Sequence, residues 1–444
     1  MRLGRTAMTP PEALMWAVER DPVLRSAFLN ITLLDRPPDL PRLRRRMGEA
    51  IDGFPRMRQR VDPAPAPWDR PGWVDDESFD IDYHIRCVAL PAGSTMRQLL
   101  DLAGMWLQDA FDPVRPLWQL TVVEGLPGGG AALIVKMHHT ITDGVGGLRL
   151  SSSFLDLDRE GHHPVRLPAA PTDEGSSGPP WRRVAAVVGA AIDAMDPRRA
   201  PGRLGAAAGA TRSLIRQVAV TDKPGSPLWA GKSSMRRRLD TVDLSLTAVK
   251  AAGRAAGGTV NDVFVAGVVT AAADYHRRMG APARRFRVSV PISTRQDSSF
   301  GGNAFVPARV VVPVTEDPRA QVDAVRQAVS RVRGEPAMDA VGGFATVAAG
   351  LPPALLTPFA RSQAATVDLA ASNLRGSPVD LFVAGASVLA NYPMGPTAGV
   401  AFNATVLSYN ERLDMGLVSD PAAVTEPETL RACVVEAFAA LTGP

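Results

Sequence analysis

Two adjacent histidines close the apolar run AALIVKMHH at residues 131–139, and the following TITDGVGG supplies Asp143 and three glycines. Side chains of a strand alternate between faces, so His138 and His139 should point opposite ways. Only one of them can then look into a given cleft. Gly144, Gly146 and Gly147 let the backbone turn tightly and start a helix close to the strand end. An imidazole on such a loop is well placed to act as a general base near neutral pH. The second pair, His162–His163 in REGHHPV, has no Asp-Gly partner and reads as a solvated loop.

Other chemistries lack their residues. No H-E-x-x-H is present for a zinc protease, and no G-x-S-x-G for an α/β-hydrolase. Neither Walker A nor G-x-G-x-x-G occurs. Cys87 and Cys433 are the only cysteines, and neither has the context of a nucleophile. What remains is a histidine that activates a hydroxyl directly, with no covalent protein intermediate. The spacing alone leaves a purely structural histidine pair equally open.

The elements that must carry these residues are legible. LWQLTVVEG and AALIVKMHH flank LPGGG as an antiparallel hairpin, and VGGLRLSSSFLDL follows as a helix. Upstream, TPPE is a capping box with proline at N1, Asp39 caps an arginine-rich helix, and 94–111 has apolar helical spacing. Downstream come the long helix TVNDVFVAGVVTAAADYHRRMG, the strands FRVSVPI and AFVPARVVVPV, and helices within 318–362. The strands ATVDLAAS, LFVAGASVL and GVAFNATVLSY follow, then a helix capped at Thr425. This mixture predicts an α+β fold rather than a doubly wound parallel sheet. The chain divides into an N-terminal lobe (1–160), a linker with basic Ala/Arg-rich helices (161–234) and a C-terminal lobe (235–444).

Composition agrees with two folded lobes: 444 residues, 45% hydrophobic and 21% charged. Two cysteines form no disulfide framework, which suggests a reducing compartment. No signal peptide is visible, since MRLGRTAMTPPEAL lacks an apolar run, and prolines break both long uncharged stretches, so neither reads as a membrane span. The formal charge is +4, with seven arginines against two aspartates between 181 and 220 and four more at 42 and 44–46. Zinc spacings, RNP-like motifs and a basic zipper are missing, so nucleic acid is not expected. Docking on anionic lipid is the better specific reading of the basic clusters.

HHTITDG resembles the HHxxxDG signature of CoA-dependent acyltransferases. The chain from about residue 8 to 442 resembles, more narrowly, the bacterial wax ester synthase/acyl-CoA:diacylglycerol O-acyltransferase family. RPLW (115–118), TVNDVFVAG (259–267), PISTR (291–295), GGNAFVPARVVVPV (301–314) and LSYNERLDMGLVSD (407–420) carry that likeness in order. The resemblance implies two chloramphenicol acetyltransferase-like lobes, each a mixed sheet flanked by helices, with an active-site tunnel between them. It implies acyl-CoA as co-substrate, diacylglycerol or a long-chain alcohol as acceptor, and no cofactor or metal. It implies a catalytic motif of His138, His139, Asp143 and Gly144, with His139 as base. Asp143 is expected to pair with Arg295, and Asn261 and Asp262 to support the site. Pro116, Leu117, Trp118, Asn303, Ser372 and Asn373 are substrate-binding candidates. The location implied is cytoplasmic, peripheral to the membrane or to lipid inclusions.

The chain also departs from the family pattern. Glu12 stands where the opening segment has Asp, Gln119 follows PLW where an acid is common, and SNLRGS (372–377) replaces SNVPGP in a loop expected near the cleft. His138 to Asp143 also fits H-x4-D, which would move the base to His138. Transfer to another hydroxyl or amine, or a catalytically silent lipid-binding protein, are the alternative functions. His84 and His276 are expected at the surface or an interface.

Overall fold

The computed structural model describes residues 4–64, 69–142, 144–165, 225–293, 305–333 and 353–443. The basic segment 181–220 lies outside the described residues. The first part runs β1 (Thr6–Ala7), α1 (Pro10–Val18), β2 (Ala27–Leu34), α2 (Leu40–Asp52), β3 (Gln59–Asp62), β4 (Gly72–Asp75), α3 (Ile81–His84), β5 (Ile85–Ala89), α4 (Met96–Gln108), β6 (Trp118–Glu124), β7 (Ala131–His138), α5 (Gly144–Ser153) and β8 (Leu155–Asp156). Next come β9 (Arg238–Ser245), α6 (Leu246–Ala255), α7 (Val260–Arg278), β10 (Arg285–Ser293), β11 (Phe305–Pro313), α8 (Pro318–Arg333) and α9 (Pro353–Ala364). The chain ends with β12 (Leu369–Arg375), β13 (Phe382–Val383), β14 (Ala386–Met394), β15 (Phe402–Tyr409), β16 (Arg412–Ser419) and α10 (Pro427–Thr442).

Local signals start the helices. Thr9 and Glu12 close a reciprocal capping box on α1, Asp39 caps α2 through the Arg42 amide, and Thr95 with Gln98 does the same for α4. The cap expected at Thr425 is corrected. Helix α10 begins one residue later, with Glu426 in the cap position and no side-chain cap bond.

Two mixed sheets form the lobes, ordered β5-β6-β7-β2-β14-β13-β8 and β11-β10-β12-β15-β16-β9. The α+β expectation therefore holds. The division by chain position needs one correction, because β13 and β14 leave the C-terminal lobe and complete the N-terminal sheet. Antiparallel pairing of β14 with β2 places Tyr392 opposite Ile31. The crossover is tight: a Cβ on Gly416 of β16 would lie 2.0 Å from the Pro393 carbonyl oxygen, so only glycine fits. Across the same seam Asn391 donates its amide to Asp414 (2.7 Å) and Tyr392 its hydroxyl to Asp243 (2.7 Å).

Both faces of the first sheet are covered, which explains the nearly unbroken apolar run in β7. Leu133 and Met137 face a core built with Leu43, Met47 and Phe154. Ala132 and Ile134 face Leu99 and Leu100 of α4 together with Leu239 and Val418 of the second lobe. In the second lobe α7 is buried from Val263 to Val269. No single helix among the described residues is long and apolar enough to cross a membrane.

Two buried features overturn surface expectations. His276 is fully buried, with its ring nitrogens bonded to Ser226 Oγ (2.7 Å) and the Ala272 carbonyl (2.7 Å). Burial pushes its pKa down to about 4, so it is a neutral core residue. Two of the four α2 arginines are spent on a buried partner. Arg42 and Arg46 both clamp the fully buried Asp156, and Arg44 pairs with Asp82 at 2.6 Å. That removes Arg42 and Arg46 from the proposed lipid-facing set and turns them into a tie between α2, β8 and the 158–163 loop.

Asp156→Ala would leave two guanidinium groups without their shared carboxylate. Breaking a buried pair costs about 3–5 kcal/mol. Urea unfolding of this variant should show a loss of that order, and a loss under about 1 kcal/mol would mean the clamp is not structural.

Candidate functional site

Strand β7 is flanked by β2 and β6, and the histidine pair is stitched to the chain on both sides. His138 donates its amide to the Leu117 carbonyl (3.0 Å), and His139 donates to the Ser26 carbonyl (3.1 Å). Successive amides of a strand point to opposite neighbours, and their side chains diverge in the same way. His138 meets Trp16 and Phe111, with ring centroids 5.8 and 6.4 Å away. His139 instead lies against Phe28 at 4.7 Å. The opposite-face expectation is therefore met.

His138 has no exposed surface, and both its ring nitrogens are engaged. Nδ1 accepts the Thr140 amide (3.1 Å) and contacts the Thr140 hydroxyl (2.7 Å). With Nδ1 accepting, Nε2 carries the proton and donates to Glu19 Oε2 at 2.9 Å, a tautomer assigned from the hydrogen-bond pattern. His139 is only half-buried. Glu19 had no signal in the sequence: it sits at the C-terminal end of α1, 119 residues from its partner.

Helix α5 starts at Gly144, directly after the motif. Asp143, Arg295 and Asn303 lie outside the described residues, and so does the expected Asp143–Arg295 pair.

The PLW residues pack into the protein interior. Pro116 is buried, and Leu117 and Trp118 are at most 1% exposed. Trp118 donates its indole N–H to the Met57 carbonyl (2.8 Å) and stacks on His84 at 4.4 Å. His84 in turn bonds the Trp118 carbonyl through Nδ1 (2.7 Å) and is itself fully buried, which corrects its surface assignment. Burial lowers the His84 pKa. The segment thus anchors the edge to which His138 is bonded.

Asp262 is the N3 residue of a capping box on α7: its carboxylate accepts the Thr259 amide at 2.8 Å and its own amide reaches Thr259 Oγ1. Its role in starting that helix is complete without substrate. Asn261, in the first turn of α7, is half-buried. Ser372 and Asn373 are not in a loop, as expected, but in β12, opposite Thr405 and Val406 of β15. Strand β12 pairs with β10 through Leu369 and Ala370. His162 is exposed, as read from the sequence.

Lys136, on the same face of β7 as His138, is 3% exposed and sits directly across from Gln119. It donates to the Asp109 carbonyl (2.8 Å) and lies 4.4 Å from the Phe111 ring centroid. Burial pushes its pKa down to about 8. A polar cavity of about 580 Å³ opens beside it, lined by Arg86, Trp106, Asp112, Gln119 and Thr121. A smaller one, about 170 Å³, lies between Leu24, Trp229, Arg361 and Gly399. Neither is lined by His138 or His139.

A two-lobed scaffold of mixed sheets like this one is also seen in solved structures. The wax ester synthase/diacylglycerol acyltransferase from Marinobacter aquaeolei VT8 aligns with a TM-score of 0.67 at 21% identity, over 98% of each chain. The first condensation domain of the CDA synthetase aligns with a TM-score of 0.61 at 18% identity, over 100% of this chain and 98% of that one. These likenesses establish the chloramphenicol acetyltransferase-like fold. Among sequences, a putative diacylglycerol O-acyltransferase of Mycobacterium tuberculosis is 34% identical over 97% of this chain and 90% of its own length. A probable diacylglycerol O-acyltransferase of the same organism is 30% identical over 79% of this chain and 78% of its own. The family model described as wax ester synthase/diacylglycerol acyltransferase catalytic domain matches residues 8–264, and that of the WS/DGAT C-terminal domain matches 301–442. The chain belongs to the wax ester synthase/diacylglycerol acyltransferase family and is an acyltransferase.

Two measurements check these placements. Trp118→Phe strands the Met57 carbonyl and should cost about 1–3 kcal/mol in unfolding experiments, with Michaelis constants unchanged. A rise in a Michaelis constant without loss of stability would restore the substrate-contact role. Lys136 has a folded pKa near 8, below its ordinary 10.5, so its burial penalty is full below about pH 8 and relieved as pH climbs toward 10.5. The penalty amounts to about 3 kcal/mol. The wild-type protein should therefore gain stability relative to Lys136→Met across that window, and parallel stability–pH curves would contradict the placement.

Proposed function

We propose that this protein transfers the acyl group of a long-chain acyl-CoA to the hydroxyl of diacylglycerol, of a long-chain alcohol, or of both. His139 removes the hydroxyl proton as the oxygen attacks the thioester carbonyl. The C–S bond then breaks, and the imidazolium returns the proton to the departing CoA thiolate. General-base assistance of this kind contributes roughly 10²–10⁴-fold. The remainder falls to positioning and to stabilisation of the developing oxyanion.

One observation carries the assignment within the pair. His138 is wholly buried with both ring nitrogens already bonded, while His139 is half-buried on the other face. A base needs a nitrogen lone pair within reach of the acceptor hydroxyl, and His138 has none to offer. The same fact weighs against the H-x4-D reading. In this proposal Asp143 pairs with Arg295 to hold the loop, and acyl-CoA is a co-substrate rather than a bound cofactor.

The acceptors proposed are nearly insoluble in water, which favours enzyme docked on their reservoir. The protein is accordingly assigned to the cytoplasm, in peripheral contact with an anionic membrane or inclusion surface. With Arg42 and Arg46 committed to Asp156, the basic residues of 181–220 are the supporting sequence feature. Each basic side chain near an anionic surface contributes about 1 kcal/mol.

Purified protein given labelled palmitoyl-CoA and either dioleoylglycerol or hexadecanol should form labelled triacylglycerol, wax ester or both. Release of CoA with no ester product from either acceptor would overturn the assignment of acceptor class.

A further inference from the structure

We infer that Glu19 is a positioning residue for the reaction, setting the orientation of the histidine pair through a single carboxylate oxygen. This rests on His139 being the base. Glu19 Oε2 accepts two hydrogen bonds, from His138 Nε2 at 2.9 Å and from the Ser26 amide at 3.0 Å. Ser26 uses its other backbone group, the carbonyl, to accept the His139 amide at 3.1 Å. One oxygen atom therefore holds His138 by its ring and His139 by its backbone, through one intervening residue. The far side of the His138 ring is closed by Thr140, which leaves the imidazole a single tautomer and a single orientation.

Several features keep this acceptor in place. Glu19 is the C-cap residue of α1, whose start is fixed by the Thr9–Glu12 capping box. The Trp16 ring packs edge-on against His138, so α1 contacts the pair directly. Glu19 touches no reacting atom in this scheme. It acts by keeping the end of β7 from shifting, and a displacement of about 1 Å at a catalytic group can cost roughly 100-fold in rate.

Because both donors converge on one oxygen, the position of an acceptor matters here and its charge does not. Glu19→Gln keeps an oxygen at the same reach, whereas Glu19→Asp keeps the charge but withdraws the oxygen by one methylene. The turnover number with palmitoyl-CoA should therefore stay within about 3-fold of wild type in Glu19→Gln. It should fall roughly 10–100-fold in Glu19→Asp, with the Michaelis constant for palmitoyl-CoA unchanged in both. A purely electrostatic role predicts the reverse order, with Asp more active than Gln. That order, equal turnover in the two variants, or an effect confined to the Michaelis constant would overturn the inference. His139→Ala run in parallel separates the two ideas: an active His139→Ala removes the base assignment, whereas an inactive one beside a fully active Glu19→Asp removes only the role of Glu19.

Discussion

Strand β7 is hydrogen-bonded along both edges, to β2 from Ala131 to His138 and to β6 from Ala132 to Met137. That double attachment is the constraint on which the site depends. A strand held on one side can slide or fray; one held on both ends its travel at a fixed residue, here His138. There the pairing is continued by two single amide bonds, from His138 to Leu117 and from His139 to Ser26. Helix α5 then begins within six residues. The histidine pair is thus presented at the rim of a rigid layer, where a side chain can be precise without losing access to a cleft.

The rest of the N-terminal lobe maintains that rim. Trp118 and His84 brace the β6 side, α1 and Glu19 brace the β2 side, and the buried Asp156 ties α2 to the sheet margin. The crossover strand β14 then locks the second lobe against this layer, through Gly416 and the Asp414 and Asp243 contacts. A lobe that lends strands to its neighbour's sheet cannot separate freely from it, which suits a site proposed to use both.

Much of this was legible because the signals are local. The capping box at Thr9, the Asp39 cap and the β6–β7 hairpin each depend on residues within a few positions. The opposite orientation of His138 and His139 follows from strand period alone. What sequence reasoning missed depends on partners far along the chain. Glu19 meets His138 across 119 residues, and Arg42 meets Asp156 across 114. His84 and His276 look like surface residues until Trp118 and Ser226 supply their hydrogen bonds. The alternating pattern of 386–394 suits either sheet equally, so its transfer to the first lobe had no local mark. Trp118 reads from the sequence equally as a substrate contact, through its motif, or as a strand-start anchor, and its burial favours the anchor.

The central claim is that the two histidines are unequal, one locked and one reactive. It is tested most directly by single-turnover acyl transfer from palmitoyl-CoA in His139→Ala and His138→Gln, with each variant's melting temperature measured beside the rate. The account predicts a fall of about 100-fold or more for His139→Ala at an unchanged melting temperature, and a clearly smaller fall for His138→Gln. Equal losses in two normally folded variants, or an active His139→Ala, would contradict it.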